Sequence, residues 1–545
     1  MCIRDRVRTI QNIFLSSTAR FGTALGTEGT TEVGSLGLGL AEALGFDGAN
    51  VRGRWLYEGA WLGSRGPLLG LGLQLREARP EATEQDAWLD LWLRGIPDDG
   101  EDRGLIRIPA SERDGLRSWL YARGRYPFDD QQWLDFVWTR QSDAGVQSEF
   151  FEREYLAYEQ RDTYLHWRKA RGDEYLQANV SVRSDPWRAE LEEHPSVGYA
   201  NGSSELGSFL GVPLLYAASA DAARLHRRGD GDPSLLEEPW LDLDGLSDGF
   251  GDQRVTRIDA WQELSAPLDL GATGATLVPS LEFRASAWDR SRANAGAVQR
   301  AGALAGLELG GSWSRFGAGT VTLLAPYARV TSALWTEEED AGELLRFDRV
   351  EDPLGGDRLD AGFRMRWRRP SRDDQLDLEL GLLQHVDRPL DAPDLEAGRA
   401  LARLQTIVSG VPTGLLHDGR YGLDGGATAY SATTFAVRPV DGLELQLSHN
   451  RADDPTAAGA LYEAITYRGR VTLGPKWEVD LLTQDNIAGE GALRSEAVLR
   501  RLGHDFVLEL SFSNRAGEGS GVSINFAPLL GWRRPRVSIL PVLDR

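Results

Sequence analysis

The chain has 545 residues, is 41% apolar and carries a formal net charge of -22, so it is long enough for several ordinary domains or one very large one. This acidic balance argues against a nucleic-acid partner, because nucleic-acid binding needs a basic face. No apolar run approaches the roughly 18 to 20 residues that a membrane-spanning helix needs, which excludes a helical membrane protein.

Residues 1–19 have no clear structural assignment. A signal peptide has a basic start followed by about 7 to 15 apolar residues and a small-residue cleavage site. Here Arg4, Arg6 and Arg8 precede only a short apolar stretch that polar residues interrupt. We interpret this segment as the truncated or artefactual start of a longer precursor.

The dominant signal from about residue 20 to residue 530 is alternation of apolar and polar residues. The apolar faces of clear examples, in chain order, are Ala87, Leu89, Leu91 and Leu93; Leu176, Ala178, Val180 and Val182; Leu376, Leu378, Leu380 and Leu382; Leu443, Leu445 and Leu447; Trp477, Val479 and Leu481; Phe506, Leu508, Leu510 and Phe512; Val522, Ile524 and Phe526. This period predicts β-strands with one apolar face. Their opposite faces carry ionisable and amide side chains in mid-strand, which a wet lumen tolerates better than a dry core.

The fold class that follows is all-β, a large closed antiparallel transmembrane β-barrel of roughly two dozen strands over residues 20–530. That number comes from about 20 residues per strand and connection. Residues 531–545 form a C-terminal tail. The 62 glycines and 17 tryptophans suit tight turns and aromatic girdles. They also suit a secreted all-β carbohydrate-active enzyme, but persistent strands without intervening helices favour one closed sheet.

Acidic, turn-rich segments between the strands are expected to be extracellular loops. They are Pro97–Gly104, Arg227–Asp248, Thr336–Asp357, Asp387–Gly398 and Asp453–Gly459. The first contains an acidic run at positions 98, 99, 101 and 102, which lacks the ligand order of a calcium loop. We interpret it as a solvated turn, with surface binding of a divalent cation as the alternative.

Residues with catalytic or ligand chemistry show no recognisable spacing. None of the seven histidines lies in a metal-ligand motif, and no nucleophile elbow, phosphate-binding loop or dinucleotide fingerprint is present in a suitable context. We therefore expect no catalytic residue, no cofactor and no metal site.

The most distinctive segment is Gln141–Tyr155, QSDAGVQSEFFEREY. A turn at Ser142 and Asp143 followed by a returning strand is the simplest prediction. Phe150, Phe151 and Tyr155 would then belong to an aromatic girdle at the membrane interface.

A series of segments in chain order resembles the barrel of the lipopolysaccharide-assembly outer-membrane protein family, LptD or organic solvent tolerance protein. The series is Gly63–Gly72 as an early strand with its turn; Gln141–Tyr155 with Ser142, Asp143, Phe150, Phe151 and Tyr155; Thr163–Arg168; Glu190–Pro195; Arg257–Pro267; Leu277–Arg284; and Leu499–Phe526 with His504, Asp505 and Phe506. The chain departs from the family in two respects. No segment is long enough for the family's periplasmic jelly-roll domain, and the single cysteine excludes the disulfides that some members use.

The resemblance implies an outer-membrane translocon that receives lipopolysaccharide from an LptA-like periplasmic bridge and inserts it into the outer leaflet. In the family, sugars pass through the lumen while acyl chains leave between the first and last strands. The implied partners are lipopolysaccharide, outer-membrane lipids and an LptE-like lipoprotein that plugs the barrel, and the implied location is the cell outer membrane. A passive porin or other transport barrel is the first alternative, and the secreted enzyme is the second.

Overall fold

In a computed structural model, the chain forms one antiparallel sheet that closes on itself. The structure describes residues 12–34, 39, 41–43, 46, 50–77, 86–104, 106–109, 111, 113, 115–151, 154–155, 163–185, 191–227, 253–290, 296–317, 319–338, 357–372, 374–385, 398–421, 430–453, 460–487, 492–504, 506–516 and 519–528. Among these residues, no helix has the length and apolar character needed to cross a membrane.

The strands are β1 Asn12–Thr18, β2 Gly22–Glu32, β3 Val51–Leu62, β4 Gly66–Glu77, β5 Trp88–Pro97, β6 Leu116–Asp129, β7 Gln132–Gln141, β8 Tyr164–Arg171, β9 Glu174–Ser181, β10 Leu191–Phe209, β11 Val212–Arg227, β12 Gln253–Ser265, β13 Leu268–Asp269, β14 Ala275–Trp288, β15 Val298–Gly311, β16 Trp313–Gly317, β17 Thr320–Glu338, β18 Arg358–Arg369, β19 Asp374–His385, β20 Gly398–Val408, β21 Val411–Tyr421, β22 Tyr430–Val440, β23 Leu443–Asp453, β24 Ala460–Leu473, β25 Trp477–Asn486, β26 Ala492–Leu502, β27 Phe506–Arg515 and β28 Gly519–Pro528. A short α-helix, α1 Val146–Phe150, follows β7, and 3₁₀ turns occupy Gly271–Thr273 and Pro370–Arg372.

The sheet closes where Ile13–Thr18 of β1 pairs antiparallel with Gly521–Phe526 of β28. The short strands β13 and β16 each pair only with the strand that follows them, while β12 pairs directly with β14 and β15 with β17. In the described part of the chain, the other 26 strands form the ring. This confirms the predicted fold class. The ring starts earlier than expected, because β1 begins at Asn12 within the segment left without an assignment.

The predicted alternation of faces is confirmed by the strand register. On β18 and β19, Arg364 lies opposite Glu379 and Arg366 lies opposite Asp377, and the charged groups of each pair are 3.1 and 2.9 Å apart. Leu380 lies on the other face and is 38% exposed. Ion pairs across neighbouring strands therefore mark the lumen face, and leucines mark the outer face.

The outer face carries an exposed apolar belt around the whole ring. Members from widely separated strands include Leu69, Val180, Ile258, Phe283, Val330, Leu447 and Ile524. A water-soluble protein does not expose a continuous apolar surface of this extent, whereas a closed barrel in lipid requires one. The chain is therefore an outer-membrane β-barrel rather than a secreted protein.

The two ends of the barrel differ in the length of their connections. From β6 onward, one end has short turns, such as Asp130–Gln131, Gly172–Asp173 and Gly410 with Ser409, and the ring's first and last residues lie at this end. The left-handed backbone of Gly172 and Gly410, at φ 58° and 85°, makes glycine the suitable residue there. The other end carries the long connections. Short turns are periplasmic and long loops extracellular in such barrels, which sets the orientation.

The predicted acidic loops lie at the long-connection end, where the structure describes only part of them. Most of Arg227–Asp248, Thr336–Asp357, Asp387–Gly398 and Asp453–Gly459 lies outside the described residues, as does residue 505.

The width of the ring follows from its strands. With a spacing of about 4.8 Å and a tilt of about 40°, a circular ring of 26 strands is about 50 Å across.

Candidate functional site inside the barrel

Two extracellular connections, after β5 and after β7, fold back against the inner wall of the barrel. Phe151 packs its ring 5.2 Å from that of Trp119, which shares the lumen face of β6 with the ion-paired Arg123 and Arg125. The buried apolar cluster around this contact contains Ala24, Ala60, Leu62, Leu68, Ile96, Trp119, Tyr121 and Phe151. The wall formed by β2–β7 is therefore covered from within.

A carboxylate turn starts the segment that contains α1. After β7 ends at Gln141, the Asp143 carboxylate accepts hydrogen bonds from the Gly145 N–H at 3.0 Å and the Ser142 hydroxyl at 2.9 Å. Short side chains with acceptor oxygens stabilise such turns by satisfying backbone donors locally. The turn redirects the chain from the wall into the lumen, where α1 places Phe150 parallel to Phe21, with 5.8 Å between the ring centroids.

Arg117 of β6 is fully buried at the centre of an ion-pair network. Its guanidinium contacts Asp98 at 3.0 Å, Asp102 at 2.6 Å and Asp143 at 2.6 Å. Two of these carboxylates come from the connection after β5 and the third from the turn before α1. A single side chain thus ties both inward-folded connections to the wall.

Three further arginines complete this network. Arg65, in the turn between β3 and β4, contacts Asp98 at 3.0 Å and Glu149 of α1 at 2.6 Å. Arg113 contacts Asp102 at 2.6 Å. Arg20, in the turn between β1 and β2, contacts Glu149 at 3.1 Å and donates to the Ser148 carbonyl oxygen at 2.5 Å.

The network has equal numbers of positive and negative groups. Four guanidinium groups, from Arg20, Arg65, Arg113 and Arg117, face four carboxylates, from Asp98, Asp102, Asp143 and Glu149. All eight side chains are less than a tenth exposed. Buried charges need such pairing, since each unpaired ion costs several kcal/mol, about 3–5 kcal/mol where a partner is removed. We call these eight residues the lumenal charge network.

The pKa of Asp98 shows that the lumenal charge network outweighs the cost of burying this carboxylate. Burial raises the pKa of the Asp98 carboxyl. Hydrogen bonds from Arg117, the Gly100 N–H and Arg65 lower it by more, so the net pKa lies below its ordinary value. Asp98 therefore stays ionised in acid conditions that protonate an ordinary aspartate.

Two predictions for this region were wrong. The acidic run 98–102 is a solvated turn only in part, because Asp99 and Glu101 are exposed whereas Asp98 and Asp102 are buried. Arginines neutralise the two buried carboxylates, so these offer a calcium ion no uncompensated charge. The aromatic residues Phe150, Phe151 and Tyr155 do not form a girdle after a returning strand. They follow or belong to a helix, and Phe151 and Tyr155 are buried inside the barrel.

The residues singled out from the sequence separate into two places. Ser142, Asp143, Phe150, Phe151 and Tyr155 lie together in the inward-folded segment. His504 is exposed in the periplasmic turn after β26, and Phe506 opens β27 with its ring 5.1 Å from that of Phe526. Asp505 lies outside the described residues.

The sequence did not identify the arginines of the lumenal charge network as site residues. Arg20 and Arg65 contact Glu149 across separations of 129 and 84 residues, which no local pattern encodes. Arg117 offered a usable signal, because an arginine on the lumen face of a strand near an acidic run predicts an ion pair.

A polar recess of about 910 Å³ opens from the lumen on the wall formed by β8–β14. Its lining includes Gln177, Asn179, Glu193, Asp221, Asp259 and Arg284. Asn179 donates to Glu193 at 2.7 Å and Arg284 to Asp259 at 3.2 Å. Such amide, carboxylate and guanidinium groups suit the hydroxyl groups of a glycan.

Only one group of three potential metal ligands occurs among the described residues, and it lies apart from the lumenal charge network. It consists of Glu192, His194 and His226, near the extracellular ends of β10 and β11.

No family model and no curated protein matches the sequence. Among solved structures, the P pilus usher PapC translocation pore is 11% identical, with 95% of this chain and 98% of that chain covered and a TM-score of 0.27. The ferric enterobactin receptor PfeA of Pseudomonas aeruginosa and the siderophore receptor PiuA of Acinetobacter baumannii are each 9% identical, with TM-scores of 0.34; 95% of this chain and 80% and 81% of theirs are covered. At these TM-scores the similarities carry no argument about function.

Proposed function

We propose that this protein is a transport barrel that moves a bulky polar or amphipathic substrate across the outer membrane. The observation that carries the proposal is a ring of 26 strands with a lumen face of ion-paired polar residues. Porins of 16–18 strands already leave an aqueous channel. A ring about 50 Å across exceeds what small nutrients require, so the size favours a large cargo.

Lipopolysaccharide is the cargo that we propose, because its parts match two different surfaces of the barrel. The polar recess on β8–β14 offers hydrogen-bonding groups to sugars. The acyl chains need an exit to lipid, and the ring closes at the seam between β1 and β28, where Asn12–Thr18 is the shortest ring strand over the described residues. The ladder at the seam pairs six residues of each strand, as few as the ladder of β7 with β8, and a short ladder has fewer hydrogen bonds to break when strands part. The resemblance to the lipopolysaccharide-assembly family points to the same exit.

The two sides of this seam are held differently. The turn after β1 is fastened from within by Arg20, by the stacking of Phe21 on Phe150, and by Arg103, which donates to the Ala19 carbonyl oxygen at 2.5 Å. The described contacts of β28 are those with its neighbours β1 and β27. In this proposal β1 is the fixed side of the exit and β28 is the side that moves.

The partners belong to the same proposal. An LptA-like bridge would deliver the lipid at the periplasmic end, and an LptE-like lipoprotein would fill part of a lumen whose wall the described residues cover at β2–β7. No bond is made or broken in such a transfer, so we assign no catalytic residue.

Photocrosslinking tests the cargo. A photoreactive amino acid in place of Gln177 lies in the recess, where bulk outer-leaflet lipid has no access, and the same substitution at Phe283 faces the membrane. We expect lipopolysaccharide adducts at Gln177 in outer membranes of cells that synthesise it, and loss of these adducts when synthesis of the lipid is blocked. Adducts at Phe283 alone would contradict the proposal.

A passive pore is the second candidate, favoured by the polar lumen itself. Two cysteine pairs in a Cys2→Ser background distinguish the candidates. Ser16 and Ser523 are directly opposite across the seam, and Ser511 and Ser523 are directly opposite across β27 and β28. If lipid leaves through the seam, the first disulfide blocks lipid delivery and the second does not. A pore conducts small solutes equally with either disulfide and shows no delivery to block.

A further inference from the structure

We propose that Glu192, His194 and His226 bind one divalent transition-metal ion, with Zn²⁺ as the best-suited ion. The three residues lie near the extracellular ends of β10 and β11, outside the lumenal charge network. Two imidazoles and one carboxylate are a ligand set that zinc sites use, with a fourth position open to water or another ligand. This inference does not depend on the proposed transport function.

The register of β10 and β11 brings the ligands together. Glu192 lies directly opposite His226 in the antiparallel ladder, and directly opposite residues share a face of the sheet. His194 follows Glu192 by two residues, which returns it to the same face. It lies where the register shifts between Glu193 and Ser196, and such bulges redirect a side chain.

The distances leave room for an ion of the size of zinc. One ligand atom of each residue lies within 4.8 Å of the others. Glu192 Oε2 is 2.7 Å from His226 Nδ1 and 3.6 Å from His194 Nε2. With bonds of about 2.0–2.1 Å, ligand atoms around tetrahedral zinc are about 3.4 Å apart. A small outward movement of His226 and a small inward movement of His194 therefore produce the coordination distances.

The nitrogen of His194 that faces Glu192 gives an independent reason. His194 Nε2 is buried and has no hydrogen-bond partner among the described residues. Its distance of 3.6 Å from the carboxylate is too long for a hydrogen bond. A buried nitrogen without a partner costs about 1–3 kcal/mol, and a metal ion between it and the carboxylate would use its lone pair.

Glu192 is already held in place for this role. It is only 2% exposed, and its other oxygen, Oε1, accepts a hydrogen bond from the Arg183 N–H at 2.9 Å. Groups that orient a ligand in this way raise metal affinity. An ordinary histidine–glutamate hydrogen bond looks different elsewhere in the barrel. His449 contacts Glu463 at 2.8 Å with side chains that are 38% and 22% exposed, against 5% and 2% for His226 and Glu192, and no second histidine belongs to that pair in the described clusters.

A bound ion would fasten β10 to β11 beside the 25-residue stretch between Arg227 and Gln253. A chain with one cysteine has no internal disulfide available for this purpose. The ion would add metal–ligand bonds to the ladder and to the contact of Glu192 with His226, which already join the two strand ends.

Metal titration of the full-length protein in detergent tests the site. After removal of metals by a chelator, we expect one equivalent of Co²⁺ to give the visible absorption of a tetrahedral site and Zn²⁺ to displace it. His194→Ala and His226→Ala should each weaken Zn²⁺ binding by at least about 100-fold. This is more than the effect of removing a residue that only hydrogen-bonds to a metal ligand. His449→Ala is the matched control and should leave binding unchanged.

The outcome does not depend on every variant folding. The heat-dependent mobility of the barrel on gels reports folding. If His226→Ala does not fold, His194→Ala decides the test, because the His194 side chain is 36% exposed and its removal disturbs the packing less. The proposal is overturned if the wild-type protein binds no stoichiometric Zn²⁺. It is equally overturned if folded His194→Ala binds as tightly as the wild type, or if His449→Ala weakens binding as much.

Discussion

Replacement of Arg117 by methionine removes the central cation of the lumenal charge network while keeping most of the volume of the side chain. The three carboxylates that it contacts keep different numbers of partners. Asp98 retains Arg65 and Arg113, and Asp102 retains Arg113. Asp143 is left with the Gly145 N–H and the Ser142 hydroxyl, neither of which is charged.

The expected cost follows from this difference. Removal of one partner from a buried ion pair costs about 3–5 kcal/mol, and only one of the three carboxylates loses its whole counter-charge. We therefore expect Arg117→Met to cost about 3 kcal/mol, which corresponds to a roughly 100-fold increase in the population in which the inward-folded segment, residues 142–151, is detached from the wall. Because Asp143→Asn removes the uncompensated charge, the double variant should recover part of this loss.

Hydrogen exchange measured by mass spectrometry is the appropriate assay, since it reads the segment 142–151 separately from the barrel wall. Arg117→Met should lower protection in that segment by about 100-fold and leave the strands β18 and β19 unchanged. Arg366→Met is the control. Its ion pair with Asp377 leaves 56% of the arginine exposed, and pairs of this kind contribute about 0–1 kcal/mol.

Two results would refute the reasoning. If Arg117→Met and Arg366→Met have equal effects on their own segments, burial does not amplify the ion pairs of the lumenal charge network. If Asp143→Asn adds its own cost to Arg117→Met without any recovery, Asp143 is not the carboxylate left uncompensated.

Two further predictions concern the same segment. Phe151→Ala removes the ring that packs on Trp119 and should cost about 3–5 kcal/mol, measured as lost protection from hydrogen exchange in residues 142–151. Phe526→Ala is the control: it removes an exposed outer-face ring beside Phe506 and should leave the protection of that segment unchanged. An equal loss of protection in both variants would place Phe151 outside the packed cluster. The lowered pKa of Asp98 gives a pH dependence. The pKa of Asp98 is lower in the folded than in the unfolded state, so its stabilisation of the fold is present above about pH 4 and is lost as the pH falls through the folded value. Pepsin should therefore cleave residues 142–151 only in stronger acid, and this dependence of cleavage on pH should be diminished in Asp98→Asn. Cleavage of the segment near pH 5 in the wild type would contradict the lowered pKa.

The barrel itself could be predicted because its determinants are local. Leu376, Leu378 and Leu380 alternate with Asp377 and Glu379, and this period of two is sufficient to predict a strand with one face to lipid and one to water. About 20 residues per strand and connection then gave roughly two dozen strands, against 26 in the described ring.

The candidate site could not be predicted in the same way, because its residues meet only after the ring has formed. An acidic run with Asp98 and Asp102 is normally solvated, and nothing near it in the sequence reveals that Arg65 arrives from another turn. The same applies to His226, which is 34 residues from Glu192 and becomes its neighbour only through the register of a long hairpin. Local patterns predict elements, and the pairing of distant strands decides which side chains meet.

The position of the lumenal charge network bears on how the seam would open. In the proposed exit, opening breaks the ladder of β1 with β28 while the rest of the ring stays intact. Arg20 and Phe21 connect the end of β1 to α1, and Arg65 and Arg117 connect α1 and its neighbouring turn to β4 and β6. A force that pulls the two seam strands apart is therefore borne on the β1 side by several strands together, and on the β28 side by its ladder with β27. Weakening the network by Arg117→Met should then make both sides of the seam yield, and the exit would lose its fixed edge before the barrel loses its fold.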